Sequence, residues 1–334
     1  MKSVSILIPT LNAERHLTFC LESIAKQDYP SDLVEIIIAD AGSTDRTLEI
    51  ARRYTDKIYA NTLKTGEAGK AIALQHARGE IVALIDSDNI LPQMDWLRRM
   101  IEPFDDAEIV GTEPIEFTYR REDGYISRYA ALMGMNDPLC LFLGNYDRHS
   151  VLTGKWTEMP VVTEDRGGFL KVTLDKARPP TIGANGFLVR RAALASCSVQ
   201  DYFFDIDVVY ELLLQGKSKF AKVKIGIIHI FSESVEIFIR KQVRRVEDYN
   251  FYSQSGLRKY PWTSISRARL AKFIIYCVVI FPLLVQSLRG FRKRRDRAWF
   301  FHPVICWITL LVYGYGTLRG LFIAKPASRM EWRQ

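Results

Sequence analysis

Short apolar runs alternate with amphipathic segments through residues 1–100. Residues 4–8 form a β-rich run that Pro9 is expected to stop. Residues 14–26 follow with Leu17, Leu21 and Ile24 at helical spacing. A continuous apolar strand is predicted over residues 34–39, a helix over 44–54, and a short strand over 58–60. A helix over 70–77 and a strand over 81–85 complete the run. Apolar strands separated by helices predict an α/β fold with a mainly parallel sheet covered on both faces. Ligands of such sheets sit beyond the carboxyl ends of the strands. The polar residues expected there are Thr10, Asn12, Asp40 and the Asp86-Ser87-Asp88 cluster.

The pattern is less regular beyond residue 100. A helix is predicted over residues 119–135, whereas 136–178 mix Gly, Pro and charge without a sustained period. Residues 181–190 read as a turn entering a strand, 205–215 as a helix, 223–228 as a strand before His229, and 237–249 as a basic helix. Two apolar stretches follow, 273–288 and 300–323, divided by the basic segment 289–297.

Charge changes the picture of the tail. The 334 residues carry a net charge of +8, which on its own suggests a nucleic-acid binder. Residues 258–334, however, hold 15 Lys and Arg against two acids, while residues 1–257 hold 31 bases and 36 acids. Bases that bracket apolar segments point to anionic membrane lipid as the partner, not nucleic acid. The division expected is a catalytic domain over 1–257, with a donor-binding half (1–100) and an acceptor-side half (101–257), and membrane-associated helices over 258–334. The five cysteines are scattered without a CxxC pair, so a zinc ribbon or dithiol motif is not expected. No basic-then-apolar leader precedes the first strand, so the front of the chain is expected in the cytoplasm.

Two carboxylates one residue apart at a strand end, Asp86 and Asp88, are able to share a hard divalent cation that bridges phosphate oxygens. Acidic pairs at strand ends are also common as solvated loop residues. The segment Gly66-Glu-Ala-Gly69-Lys70 is not a P-loop, because Lys64 and Ala71 stand where that motif needs Gly and Ser or Thr.

Five ordered segments carry a family resemblance: VSILIPTLNAERHL (4–17), IIIADAGSTDRT (36–47), GEAGKAIALQHARGEIVALIDSDNI (66–90), TIGANGFLVRRAAL (181–194) and FFDIDVVYELLLQG (203–216). Together they make the chain similar to the family 2 glycosyltransferases, inverting enzymes of the GT-A fold, here of a membrane-attached type. The resemblance implies that Pro9, Thr10, Asn12 and Glu14 line a nucleoside pocket and that Asp40 accepts a hydrogen bond from the base, most often uracil. Ala41 stands where relatives carry a second acid. Asp45 also reads as a helix cap. Gly69 lets the chain approach the donor, Lys70 faces its phosphates, and Asp86 and Ser87 complete the donor side. Asp86, Asp88 and His229 are implied as holders of Mg2+ or Mn2+, although a lone His after an apolar strand also reads as a structural residue.

Asp205 and Asp207 match the acidic start of the family's catalytic helix, with Phe204 in place of its first acid. Asp205 is the implied general base, and Asp207 equally reads as an acid placed at a helix N-terminus. Asn185, Gly186, Asp207, Gln242 and Arg245 are implied on the acceptor side. Gln242 and Arg245 resemble a processive-synthase signature, but Val246 replaces its Trp, which argues against a polymer synthase. The expected activity is metal-dependent transfer from a nucleotide-diphosphate sugar, UDP-linked, to a lipid-linked glycan at the cytoplasmic membrane face. A polyprenyl-phosphate glycosyltransferase, a nucleotidyltransferase and a non-catalytic scaffold are the alternatives.

The tail poses a topological conflict. A straight helix over 273–288 would measure roughly 24 Å, short of a hydrocarbon core of about 30 Å. If it spanned, the basic segment 289–297 would lie outside, against the positive-inside tendency. The stretch is therefore expected to dip in and return, or to lie at the interface.

Overall fold

The computed structural model describes residues 1–254, 256–262 and 266–322. Ile323, the end of the second apolar stretch, and the rest of the expected 258–334 segment beyond it lie outside the described residues. The chain divides into two compact units, one of residues 1–118 and 160–229, the other of 119–159 and 230–334.

The first unit is a sheet with flanking helices. Its strands are β1 (Val4–Thr10), β2 (Val34–Asp40), β3 (Ile58–Ala60), β4 (Ile81–Leu84), β5 (Asn89–Ile90), β6 (Gly111–Phe117), β7 (Val161–Asp165), β8 (Phe169–Leu174), β9 (Phe187–Arg190) and β10 (Lys219–His229). The helices are α1 (Glu14–Ala25), α2 (Thr47–Ala51), α3 (Gly66–Gln75), α4 (Trp96–Ile101), α7 (Arg191–Leu194) and α8 (Asp205–Leu214). The strand order is 3-2-1-4-9-6-10-8-7, with β5 paired to β10. The 3-2-1-4 half is parallel. β9 then runs antiparallel to both β4 and β6. The α/β class agrees with the sequence reading, and the parallel character belongs to the half whose strands alternate with helices.

Pro9 does not stop β1. The strand pairs with β4 only as far as Leu7, while its pairing with β2 continues through Pro9 to Thr10. Past Leu7 β1 has an edge, where a residue without an N–H is tolerated. α2 is shorter than expected because residues 43–45 are held in a loop by side-chain hydrogen bonds. α3 begins earlier than expected, at Gly66, where the Thr65 hydroxyl accepts the Ala68 N–H at 2.8 Å.

The second unit contains α5 (Tyr125–Met133), α6 (Leu139–Leu143), α9 (Val235–Gln254), α10 (Arg267–Val279), α11 (Phe281–Lys293) and α12 (His302–Phe322). Its core joins Tyr129, Met133 and Phe142 to Phe238, Phe273 and Trp299. The expected boundary at 257/258 falls inside this unit. The sequence order hides the grouping, because residues 119–159 fold with the tail and not with the strands on either side of them. The first apolar stretch is not one helix: α10 and α11 meet at Ile280 with a bend of 92°.

Candidate active site

Two clusters form at the carboxyl ends of the strands in the first unit. The first laces the β1–α1 loop to the β2–α2 loop. Asn12 Oδ1 accepts the Thr44 N–H at 2.9 Å, Glu14 Oε2 accepts the Arg46 N–H at 3.0 Å, and the Ser43 hydroxyl accepts the Asn12 N–H at 2.9 Å. Asp45 accepts the Thr47 and Glu14 N–H groups, but the N-cap position of α2 is Arg46, so Asp45 stands one residue ahead of the cap that the sequence suggested. Asp40 is buried, and its carboxylate takes four hydrogen bonds. Thr10 Oγ1 and Ser43 Oγ donate to Oδ1, and the Gly42 and Ser43 N–H groups donate to Oδ2. A carboxylate offers about four acceptor positions, so a base reading Asp40 has to replace one of these bonds. Asp40, Ala41, Gly42, Tyr59, Ala60 and Asn61 nevertheless border a cleft of about 660 Å3.

Gly69 serves packing. A Cβ there would stand 2.8 Å from Pro9 Cβ, so its small size lets α3 lie against β1. The next residue is not the solvated lysine that a glycine-rich loop suggests. Lys70 is 5% exposed, and its ammonium donates to Asp205 Oδ2 at 2.7 Å and lies 3.4 Å from Asp86 Oδ1. Burial works against the Lys70 charge, but Asp205 and Asp86 outweigh it and hold its pKa above the ordinary lysine value. Asp205, the first residue of α8, is pushed up to about 7, first by burial, with Lys70 opposing and Asp86 adding to the rise. Its Oδ1 is buried and accepts no hydrogen bond from the described residues.

The Asp86-Ser87-Asp88 turn is fixed by Asn89, a residue that sequence reasoning passed over. Asn89 Oδ1 accepts the Asp86 N–H at 3.1 Å, and its amide donates to Asp88 Oδ1 at 3.3 Å and Asn185 Oδ1 at 3.2 Å. An Asn directly after the acidic Asp86-Ser87-Asp88 turn was the available signal in the sequence; its full burial is seen only in the fold. His229 sits opposite Asn89 in the β5–β10 register, with Nε2 3.5 Å from Asp88 Oδ2.

Among the described residues no group of three or more His, Cys, Asp or Glu converges as a metal cage. Asp88 and His229 stand together, whereas Asp86 lies beside Lys70. This set fits a cation that arrives with its phosphates, since Mg2+ is commonly bound through one or two carboxylates plus substrate oxygens.

The acceptor-side residues separate. Asn185 and Gly186 have φ of +49° and +86° and form the turn into β9. A Cβ on Gly186 would meet Ile227 Cδ1 at 2.7 Å. Asp207 is buried in the first turn of α8. Gln242 and Arg245 belong to the second unit, where Gln242 donates to Thr309 Oγ1 at 3.2 Å and Arg245 donates to Gln242 Oε1 at 2.9 Å. Their bonds are within that unit's helix packing.

A second omission is the buried pair of Glu113 on β6 and Lys222 on β10, 2.5 Å apart. Glu113 Oε1 also accepts the Gly183 N–H at 2.9 Å, and a Cβ on Gly183 would stand 2.6 Å from the Asp205 carbonyl oxygen. The pair thereby supports the turn that backs the start of α8. Charges in the otherwise apolar segments GTEPIEF and FAKVKIG were its signal.

A mixed sheet with an acidic turn after β4 and an acidic helix start facing a buried lysine defines a GT-A α/β domain. The same fold occurs in a mannosyltransferase from Pyrobaculum calidifontis solved with GDP-Man and Mn2+, with a TM-score of 0.53 and 15% identity over 96% of this chain and 87% of that one. Residues 5–153 match the model of glycosyl transferase family 2. A poly(ribitol-phosphate) beta-N-acetylglucosaminyltransferase of Staphylococcus aureus is 37% identical over 97 residues, 27% of this chain and 17% of that protein. A dolichyl N-acetyl-alpha-D-glucosaminyl phosphate 3-beta-D-2,3-diacetamido-2,3-dideoxy-beta-D-glucuronosyltransferase of Methanococcus voltae is 33% identical over 111 residues, 31% of this chain and 34% of that protein. The shared stretch thus covers about a third or less of these relatives.

Proposed function

We propose that the protein transfers a sugar from a nucleotide-diphosphate donor, UDP-linked, to a hydroxyl of a lipid-linked glycan, with inversion at the anomeric carbon. The observation that carries the reading is Asp205. One oxygen is tethered to Lys70, and the other is buried without a hydrogen-bond donor among the described residues. A buried acceptor left unsatisfied is costly, and an acceptor hydroxyl would satisfy it. Asp205 Oδ1 then takes the hydroxyl proton as the oxygen bonds to the anomeric carbon and the bond to the diphosphate breaks on the opposite face. Lys70, already charged and oriented, faces the leaving phosphates. Asp88 and His229 would hold a divalent cation, Mg2+ or Mn2+, whose bound charge would offset that of the leaving diphosphate. The loops braced by Asn12, Glu14 and Asp40 border the nucleoside side.

A base pushed up to about 7 suits a neutral hydroxyl acceptor. A polyprenyl phosphate is already ionised and needs no base, so the lipid-linked glycan is the preferred acceptor class. The dolichyl-linked name of the archaeal relative supports that choice. The second unit attaches the protein to the membrane, with the catalytic unit on the cytoplasmic side, where nucleotide sugars are made. A screen of nucleotide sugars with Mn2+ and crude membrane lipids, followed by mass analysis of the lipid product, tests the reading. Formation of a phosphate-linked monosaccharide in place of a lengthened glycan would overturn the acceptor assignment.

A further inference from the structure

We infer that neither apolar stretch crosses a bilayer, and that the second unit docks on one anionic leaflet by inserting the elbow between α10 and α11. The inference rests on the membrane-attached reading and adds its topology. Each helix has 13 residues, about 20 Å of length against a hydrocarbon core of about 30 Å. Ile280, at φ +62°, turns the chain by 92° between them. Around the elbow Ile275, Val278, Val279, Phe281 and Leu284 are exposed, Val278 at 66% and Phe281 at 68%. Exposed bases flank this apolar tip on both sides, Arg267 and Lys272 before it and Arg289, Arg292 and Lys293 after it. An apolar tip between cationic shoulders is complementary to acyl chains beneath anionic headgroups.

The basic segment after the elbow is tied to the start of the same unit. Asp296 accepts the Tyr119 hydroxyl and pairs with Arg128 Nε at 3.0 Å, and the Arg294 guanidinium lies 3.8 Å from the centre of the Tyr119 ring. Lys293 donates to the Leu152 carbonyl at 2.7 Å. At its other end α10 is tied to the same unit, where Arg269 donates to the Leu143 carbonyl. Both ends of the α10–α11 elbow are therefore held to residues 119–159, so the two helices enter and return.

α12 is long and apolar enough to span, but it is packed along α9. Gln242 bonds Thr309, and the Asn250 amide donates to the Gly316 carbonyl at 3.1 Å. A Cβ at Gly316 would stand 2.4 Å from Val246, and one at Gly320 would stand 2.4 Å from Asn250. α9 bears Arg240, Lys241, Arg244, Arg245, Glu247 and Asp248. A spanning α12 would take that charged helix into hydrocarbon with it, at high cost.

The experiment compares the full chain with R294C and F281C, treated with an impermeant thiol reagent in intact and in opened cells and scored above parental labelling. The expected result is no added labelling in intact cells. In opened cells R294C labels and F281C stays protected until detergent is added. Labelling of R294C in intact cells overturns the inference, because α10–α11 would then span. Equal labelling of both in opened cells overturns it as well, since the elbow would be in water. Protection of F281C in purified protein without lipid would show a second copy on the patch and also overturn it.

With vesicles of phosphatidylcholine and phosphatidylglycerol, V278D/F281D is expected to bind at least tenfold more weakly than the parent at an unchanged melting temperature. Unchanged binding overturns the inference. Transfer activity is scored separately: its absence with vesicle binding intact removes the catalytic reading and leaves the docking intact.

Discussion

In the sheet unit the least exposed lysines are matched by carboxylates, Lys70 by Asp205 and Asp86 and Lys222 by Glu113. In the second unit the cations of residues 292–295 stand exposed beside large exposed apolar side chains. The same residue types do different work because their surroundings differ. A buried charge needs a partner and shifts that partner's proton affinity, whereas an exposed one keeps a solvent-facing side for headgroups even where, as at Lys293 and Arg294, it also touches the protein. Chemistry is therefore expected to fail through the first set, and attachment through the second.

The largest expected effect is on the base. Asp205→Asn should lower transfer by about 10^3, within the range for a general base, with donor affinity held within about twofold; titration calorimetry and product assays measure both. Retained turnover would break the assignment. Next is the buried pair behind the site. Lys222→Met strands Glu113 and should cost about 3–5 kcal/mol of stability, read by urea denaturation. Glu113→Gln/Lys222→Met should recover part of that loss.

The pH dependence sharpens the same contrast. Because Asp205 is pushed up to about 7 by burial, kcat/KM should rise with pH through about 7. Its effect on stability has the opposite sign. The folded chain holds this proton more tightly than the unfolded chain, so the stabilisation is complete below about pH 4 and is lost as pH rises to about 7. Melting curves across that window should flatten in Asp205→Asn.

A smaller effect is expected at the cation side: EDTA or Asp88→Ala should weaken donor binding about tenfold, roughly 1.4 kcal/mol, and added Mn2+ should restore only the parent. The smallest is Thr65→Ala, which removes the cap of α3 and should cost about 1 kcal/mol of stability. Transfer should persist at temperatures where the fold survives.

Much of the first unit was legible because local signals and the fold agree there. Strand runs, the acidic turn after β4 and the acidic start of α8 all lie at or near the ends of elements that the apolar pattern marks. Gln242 and Arg245 were less legible, since a short signature does not say whether its residues face solvent, a substrate or another helix. Here Gln242 bonds Thr309, 67 residues further along the chain.

The sequence by itself determined the alternation of strands and helices, the acids at strand ends and the concentration of bases around apolar segments in the tail, since each is written in neighbouring residues. Tertiary structure alone decided that Lys70 is buried between Asp86 and Asp205, that residues 119–159 fold with the tail, and that the apolar stretch breaks at Ile280. Those outcomes depend on side chains brought together from far apart in sequence. Burial and charge pairing are properties of that proximity, which residue order alone does not express.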